Sequence, residues 1–324
     1  MTPFELRPLA IGELLDRVFT IYRRHLATFV GIMAVPSLFN LALALCMLVL
    51  QHLNGGPLFQ PPQPGSNFNP EDFLRPALQI VGVTLVFLLI YWVAYMLALG
   101  AATTVVADIY AGRETGIGAA YGKARPQLGR LMLLAVLWMV VIVLPWIVLV
   151  GVGAGLAAAA RSPVVAALVM IFGMIGFFIA SVIMFLRYAV STPALMLESV
   201  STWGAMRRSV ALTRGFLGRV FLVFMVAALM AYTAIMLLQM PFNVASVVAG
   251  KMTMAGFWLD LVGAVAGTIG HTLTAPVLVI GLTVLYYDFR VRKEALDLQV
   301  MMGALDTPGA GGLQIPPPSP ALPR

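Results

Sequence analysis

The segment RPLAIGELLDRVFTIYRRHLATF, residues 7–29, decides how the rest of the chain is interpreted. Its apolar residues recur at steps of three and four, and its charged residues occupy the opposite face. The apolar positions are Ile11, Leu14, Leu15, Val18, Tyr22, Leu26 and Phe29. This spacing predicts an amphipathic helix that continues without a break into the wholly apolar run 30–50. The pair is typical of a helix on a membrane surface that leads into a membrane-spanning helix.

The composition of the chain excludes a soluble globular protein of this size. Of its 324 residues, 61% are hydrophobic and only 10% are charged, and the mean hydropathy is strongly positive. These values predict a polytopic integral membrane protein. Cys46 is the single cysteine, so an internal disulfide is excluded, and we expect it to be a buried membrane thiol.

Six apolar runs are long enough to cross about 30 Å of hydrocarbon, which takes about 20 helical residues. They lie near 28–51, 78–107, 131–158, 164–187, 220–247 and 260–286. We therefore predict an all-α membrane domain over 1–303 and a disordered, Pro- and Gly-rich cytoplasmic tail over 304–324, for which a proline-binding partner stays open. The last span is predicted to continue as a helix to about Met302. The stretch 52–76 is predicted to be a connector without a regular helix.

Basic residues are distributed unequally between the two sides of these spans. Seventeen of the 20 lysines and arginines fall in the N-terminal stretch, the second and fourth loops and the tail. The other three are Arg75, Arg161 and Lys251. The positive-inside rule then places both termini in the cytoplasm, and we predict a protein of the inner membrane. The whole net charge of +7 faces inward, so it indicates topology, and no nucleic-acid-binding motif accompanies it.

The surface helix before the first span has two further copies in the sequence. The matching positions are Ile11-Gly12 with Arg17, Ile117-Gly118 with Lys123, and Thr202-Trp203 with Arg208. Each copy precedes a pair of spans, and the first span of each pair contains a proline, at Pro36, Pro145 and Pro241. We therefore predict three pseudo-repeats, each an interfacial amphipathic helix plus a helical hairpin. The alternative is a coincidental similarity between amphipathic helices.

Basic residues of the three surface helices are the predicted lipid-contacting residues. They are Arg17, Arg24, Lys123, Arg130, Arg208 and Arg214. Each could add about 1 kcal/mol of attraction to an anionic leaflet. The two interpretations are structural anchoring at the interface and a pocket for phosphate-bearing headgroups, which bidentate arginine contacts would suit. Glu198, Asp288 and Arg290 are predicted to pair and to hold the third surface helix and the last span in register.

Three ionisable residues lie in the spans or at their edges: Asp108, Asp260 and His271. Asp260 and His271 share one helical face with Gly263 and Gly267. A proton or ion path past His271 is one hypothesis. The favoured alternative is a close glycine seam in which His271 hydrogen-bonds a neighbouring helix. No catalytic constellation, metal-ligand spacing or cofactor motif is found, so we expect no catalytic residue, metal or cofactor.

Three stretches together resemble a known family: RPLAIGELLDRVFTIYRRH at 7–25, STPALMLESVSTWGAMRRSVALTRGFLGRV at 191–220 and LYYDFRVRKEALDLQV at 285–300. They are similar to the membrane domain associated with glycerophosphoryl diester phosphodiesterases, a bacterial family also found as a stand-alone integral membrane protein. The resemblance covers 7 to about 300 and implies no catalytic residues in this domain. The phosphodiesterases of the family use a separate soluble barrel with a His-Arg-Gly segment, and no histidine here begins such a segment.

We therefore expect a non-enzymatic membrane module that engages the lipid bilayer and its anionic phospholipids, or organises membrane protein partners. The resemblance implies a link to glycerophospholipid metabolism. The alternative is a small-solute or lipid transporter built on the threefold repeat, which a water-accessible polar cavity between hairpins would distinguish. A third hypothesis, an enzyme acting within the membrane, requires the inward-facing acids and His271 to converge in space.

Overall fold

A computed structural model describes residues 7–53, 70–160, 163–251 and 253–295. The described residues are helical and contain no β-strand. The helices are α1 (Ile11–Arg24), α2 (Leu26–Leu53), α3 (Pro70–Tyr110), α4 (Ile117–Ala124), α5 (Leu128–Ala160), α6 (Pro163–Tyr188), α7 (Ser191–Leu197), α8 (Thr202–Thr213), α9 (Leu217–Leu238), α10 (Met240–Ala249) and α11 (Met254–Glu294). A 3-10 turn, Arg125–Gln127, joins α4 to α5. The predicted tail over 304–324 lies outside the described residues.

Six helical segments are long and apolar enough to cross a membrane. They are Leu26–Leu53, Ala77–Tyr110, Ile117–Gly155, Met170–Leu197, Leu217–Ala249 and Met254–Glu294. Large apolar side chains on them are exposed, among them Phe172 (70%), Leu89 (66%) and Leu229 (63%). An apolar medium around these helices would cover such side chains. The prediction of an all-helical chain with six apolar helices is confirmed, and these helices indicate a multi-pass membrane protein.

The amphipathic helix at the N-terminus forms, but its bounds and its buried face differ from the prediction. A single turn residue, His25, separates α1 from α2, so the predicted unbroken helix was wrong. The buried residues of α1 are Leu14, Val18 and Ile21, whereas Ile11 is exposed. The buried stripe is therefore narrower than the run of apolar residues in the sequence.

Two predicted helix ends were also wrong. Helix α3 begins at Pro70, within the stretch predicted to lack a regular helix. Proline is tolerated at the first helical position because its missing N–H would have no partner there. At the other end of the chain, α11 stops at Glu294, before the predicted Met302. Ala295 follows with φ of +48°, a left-handed conformation that ends a right-handed helix.

The fifth span is divided between two helices. Gln239 lies between α9 and α10. Pro241 stands in the first turn of α10, and because it has no N–H it cannot continue the hydrogen bonds of α9. Pro36 and Pro145, by contrast, lie inside the uninterrupted helices α2 and α5. The three prolines thus occupy different local structures, and the threefold repeat stays a prediction.

The chain divides into two compact units. The first contains the described parts of 1–21, 99–224 and 280–324, and the second contains those of 22–98 and 225–279. In the first unit, α5, α6, α7 and α8 pack on one another, and Leu131, Leu195, Met206 and Leu212 belong to its core. The second unit buries Phe29, Ile32 and Met33 of α2.

Candidate functional site: a buried charged cluster and an exposed basic stripe

The last turns of α11 carry charges into the core of the first unit. Tyr286 and Phe289 are fully buried, and Asp288 and Arg290 are 2% exposed. A buried charge is costly unless hydrogen bonds and opposite charges surround it. The partners of these residues therefore decide what this part of the molecule can do.

A buried charged cluster joins α7, α8 and α11. It consists of Glu198, Arg208, Tyr286, Arg290 and Glu294. Glu198 accepts hydrogen bonds from Arg208 Nε at 3.0 Å and from the Tyr286 hydroxyl at 2.7 Å. Arg208 also forms an ion pair with Glu294, which accepts a 3.1 Å hydrogen bond from Arg290 Nε. Two carboxylates and two guanidiniums alternate, so the cluster has no net charge.

The charge of Arg208 is stabilised by this arrangement. Burial disfavours its charged form, but Glu198 and Glu294 outweigh that effect and raise the pKa of the guanidinium above its usual value. Both carboxylates are engaged by arginines, and this pairing suits a structural connection between helices better than proton transfer.

Asp288 forms a second charged group, the Asp288 clamp, with Leu9, Arg219 and Arg292. Its Oδ1 accepts the Leu9 N–H at 2.8 Å, and its Oδ2 accepts Arg219 Nη1 at 3.1 Å and Arg292 Nε at 3.0 Å. The same two arginines donate to the Leu9 carbonyl, at 2.9 and 2.6 Å. The N-terminal segment is thereby fixed to the end of α11 and the start of α9. Asp288 pairs with these arginines, whereas Arg290 belongs to the buried charged cluster.

Asp108 closes the connection between α3 and α4. Its buried carboxylate accepts hydrogen bonds from Thr115 Oγ1 at 2.6 Å and Arg113 Nη2 at 2.9 Å, and it also binds Lys123. This carboxylate, predicted as an intramembrane polar candidate, has two cationic partners within fifteen residues of the same chain segment. Its geometry is that of a local helix connection.

The six cations predicted to contact lipid have different environments. Lys123 and Arg208 form the ion pairs described above. Arg130 donates to the Val200 carbonyl and to Gln127 Oε1, and half-buried Arg17 hydrogen-bonds Tyr110. Only Arg24 and Arg214 of the six are exposed with no side-chain hydrogen bond or ion pair to the described residues. Four of the six therefore have partners inside the protein.

An exposed basic stripe runs along α8. Trp203, Arg207 and Ala211 follow at steps of four and therefore share one face of α8, and Arg214, three positions further, is the residue that caps the C-terminus of the helix. All four are exposed, and Trp203 is 55% exposed. Neither arginine forms an ion pair with the described residues. The spacing of this stripe is visible in the sequence, but the sequence prediction of lipid contact fell on Arg208 and not on Trp203 or Arg207.

The opposite face of α8 holds the helix in place. Ser209 and Thr213 donate hydrogen bonds to the Arg187 carbonyl at 2.7 and 3.2 Å, and the Ser201 side chain caps the helix N-terminus. Lys293 donates to the carbonyls of Ala211 and Arg214, at 2.5 and 2.8 Å. These bonds satisfy carbonyls that the end of α8 leaves without partners. The exposed basic stripe is thus displayed by a fixed helix.

In the second unit, the predicted glycine face of α11 meets two different helices. A Cβ at Gly267 would lie 2.5 Å from Gln239 Oε1, and one at Gly263 would lie 3.2 Å from Phe242 Cβ, so both glycines pack against the α9–α10 region. His271 instead has Nδ1 3.5 Å from Ser37 Oγ of α2. Asp260 is half-buried and has no hydrogen bond or ion pair with the described residues. His271 and Asp260 are therefore in separate environments.

Tyr22 adds a contact that the sequence did not predict. Its hydroxyl donates a 2.6 Å hydrogen bond to the Leu273 carbonyl of α11, near Pro276. Pro276 has no N–H, so the helical hydrogen bonds of α11 are interrupted there. Partial burial raises the pKa of the Tyr22 hydroxyl, which keeps it protonated as the donor.

Among the described residues, no group of three or more histidine, cysteine, aspartate or glutamate side chains is placed to hold a metal ion. Comparison with protein-family models, with curated proteins and with solved structures gave no match for this chain.

Proposed function

We propose that the protein is a non-enzymatic, six-span module of the inner membrane that engages anionic lipid headgroups from the cytoplasmic side. The observation that carries this proposal is the exposed basic stripe of α8. Tryptophan favours the boundary between hydrocarbon and headgroups, and arginine binds phosphate through two parallel hydrogen bonds. Trp203, Arg207 and Arg214 combine both preferences on one fixed helix.

The distribution of exposed cations supports the same orientation. Arginines that are exposed and unpaired among the described residues lie in the N-terminal stretch and in the second and fourth loops. They are Arg23, Arg24, Arg125, Arg187, Arg207 and Arg214. All six belong to the segments that the positive-inside rule places in the cytoplasm together with both termini, whereas Lys251, also exposed and unpaired among the described residues, belongs to a segment that it places on the other side. The cytoplasmic leaflet is the anionic one, so these charges would face the lipid that attracts them.

The link to glycerophospholipid metabolism belongs to this proposal through the resemblance to the phosphodiesterase-associated membrane domain. The threefold repeat and the engagement of membrane protein partners also remain proposals. A second candidate, a small-solute or lipid transporter, is favoured by the interruption of the fifth span at Gln239. Discontinuous spanning helices often form the substrate or ion sites of transporters.

Lipid preference at α8 can be measured through Trp203. The protein is reconstituted into phosphatidylcholine vesicles that contain a small fraction of brominated phosphatidylglycerol or brominated phosphatidylcholine. Bromine quenches the fluorescence of nearby tryptophan residues. The part of the quenching that is lost in Trp203→Phe therefore reports the lipid beside α8. We expect stronger quenching by the anionic lipid. At about 1 kcal/mol for each arginine, Arg207→Gln with Arg214→Gln would lower the preference roughly 30-fold.

Lys251→Gln is the matched control, because Lys251 is an exposed cation between α10 and α11. This variant should keep the preference of the unmodified protein. Equal quenching by the two brominated lipids, or a preference that survives loss of both α8 arginines, would refute a headgroup-binding role for the exposed basic stripe.

A further inference from the structure

The hairpin of α10 and α11 in the second unit has a regular antiparallel register. Gln239 lies opposite Gly267, and its side-chain Oε1 is 2.5 Å from the position that a Cβ on Gly267 would take. Asn243 lies opposite Gly263, with Oδ1 3.3 Å from the corresponding position. Gly250 lies opposite Gly256, where a Cβ added to Gly256 would lie 3.0 Å from the Gly250 carbonyl carbon. From one pair to the next, the residue number on the α10 side increases by the same amount as the residue number on α11 decreases.

This register places Ser246 opposite Asp260. Positions 239, 243, 246 and 250, in α10 and at its two ends, advance by four, three and four residues, and the α11 positions 267, 263, 260 and 256 retreat by the same steps. Residues at such steps form one stripe of a helix. Ser246 and Asp260 thus lie opposite each other on this stripe, between the pair Asn243 and Gly263 and the pair Gly250 and Gly256. Each such pair is one level of the hairpin.

Both side chains at this level are unsatisfied among the described residues. Ser246 is fully buried, and its Oγ has no hydrogen-bond partner. Asp260 is half-buried and has no ion pair or hydrogen bond there, including with Ser246. Lys251, the cation nearest to it along the chain, is exposed and does not pair with it. A buried hydroxyl and a carboxylate are each costly in an apolar setting unless a ligand or partner satisfies them.

We propose that this level of the hairpin is a binding site for a monovalent alkali-metal cation. Asp260 supplies the one negative charge, and Ser246 Oγ and Asn243 Oδ1 supply neutral oxygens. Hard cations prefer such oxygen ligands. A single carboxylate with neutral oxygens balances a charge of +1, whereas calcium sites generally gather several carboxylates. The neighbouring glycines let the two helices approach closely enough for ligands from both to reach one ion.

The site goes beyond the proposed lipid binding and depends on different residues. His271 is not part of it, because its ring contacts Ser37 of α2. The fifth span is interrupted at Gln239, between α9 and α10. A cation bound between α10 and α11 would therefore couple ion binding to the packing of α10 on α11. Sodium sites in transporters are built in similar discontinuous helices.

The test uses the purified full-length protein in neutral detergent, with NaCl, KCl or choline chloride at equal ionic strength. A ligand that binds only the folded state raises the melting temperature, by about 2 °C at ten times its dissociation constant for a chain of this size. We expect such a rise in Na⁺ or K⁺ relative to choline. Bound ²²Na⁺ at close to one ion per chain, or its displacement by K⁺, would measure the site directly.

Asp260→Asn should abolish the cation-dependent rise, and Ser246→Ala should reduce it by at least half. Glu114→Gln, at an exposed acid of the α3–α4 connection, is the matched control and should keep the full rise. If Asp260→Asn does not fold, Ser246→Ala decides the question. Removing an unsatisfied hydroxyl leaves the protein as stable or more stable in choline, so loss of the cation response alone would identify a ligand.

Equal melting temperatures in all three salts with no bound ²²Na⁺ would overturn the site, as would an undiminished response in Ser246→Ala. A melting temperature that responds to pH but not to Na⁺ or K⁺ would also overturn it, because the occupant would then be a proton. The variant Arg207→Gln with Arg214→Gln should keep the cation response. Failure of the lipid proposal and failure of the cation proposal are therefore distinguishable.

Discussion

Replacing Asp288 with asparagine should destabilise the folded protein by removing the charge at the centre of the Asp288 clamp. The Asp288 side chain is fully buried, and Arg219 and Arg292 are about one-fifth exposed, at 20% and 23%. Asparagine has nearly the same shape, and its oxygen could still accept the Leu9 N–H. Its amide NH2 group, however, is a hydrogen-bond donor. The guanidiniums of Arg219 and Arg292 are also donors, so they could not hydrogen-bond to it. The change therefore tests the charge rather than the volume of the side chain.

Breaking a buried ion pair by removing one partner costs about 3–5 kcal/mol. Two features of the clamp place Asp288→Asn near the lower end of that range. Water reaches part of each arginine, and both keep the Leu9 carbonyl as an acceptor. We therefore expect a loss of about 3 kcal/mol, which corresponds to roughly a hundredfold change in the ratio of folded to unfolded protein.

Unfolding of the purified protein in mixed micelles, followed against the mole fraction of SDS, provides the measurement. Asp16→Asn is the matched control, because Asp16 is an exposed acid of α1 without an ion pair among the described residues. It should unfold at nearly the same SDS fraction as the unmodified protein. Adding Arg219→Gln to Asp288→Asn should cost less than the sum of the single changes, since the second change removes a guanidinium that the first left unpaired.

Unfolding of Asp288→Asn at the same SDS fraction as Asp16→Asn would contradict a stabilising role for the charge of Asp288. Simple additivity of the changes at Asp288 and Arg219 would contradict their pairing, because it would mean that the two residues act independently. Glu13 offers a useful contrast within the same segment. Its hydrogen bond from Arg7 lowers the pKa of its carboxyl, but both side chains are exposed, so loss of this pair should have little effect.

Two further predictions test the hairpin and the topology. Gly256→Ala should destabilise the protein by about 1–3 kcal/mol in the SDS assay, because its Cβ would collide with the Gly250 carbonyl. Gly151→Ala, where nothing lies within 4 Å, should not, and equal stability of the two variants would refute the close packing of the hairpin. With Cys46 replaced by serine, Glu114→Cys and Ala211→Cys should react with a membrane-impermeant thiol reagent from one side only, and Lys251→Cys from the other. Labelling of Glu114→Cys and Ala211→Cys from opposite sides would refute the proposed orientation.

The six apolar helices could be predicted because hydropathy over about 20 residues depends only on local composition. Their ends could not be predicted equally well. The break at Gln239 follows from Pro241, whose presence in the span was visible, but Pro36 and Pro145 lie in helices that continue. Whether proline ends a helix depends on the partners that satisfy the freed carbonyls, and those partners come from other parts of the fold.

The pairing of charges shows the same limit. Glu198 and Asp288 could be associated with nearby arginines from composition alone, but their partners are set by tertiary contacts. Asp288 binds Leu9, which is 279 positions away, and Glu198 binds Tyr286, which is 88 positions away. Ser246 carried no signal in the sequence, because a serine in an apolar helix usually bonds to its own backbone. Only the register of the hairpin relates it to Asp260.

Arg207 and Arg208 show why a count of cations overstates the charge available to lipid. They are adjacent in the chain, yet successive residues of a helix point about 100° apart. Arg208 therefore reaches Glu198 and Glu294, while Arg207 stays on the exposed side. Removing Arg208 would disturb the core and removing Arg207 would not. Single substitutions on α8 can thus test the proposed lipid binding separately from folding, and a loss of lipid preference in Arg207 variants could be attributed to the surface itself.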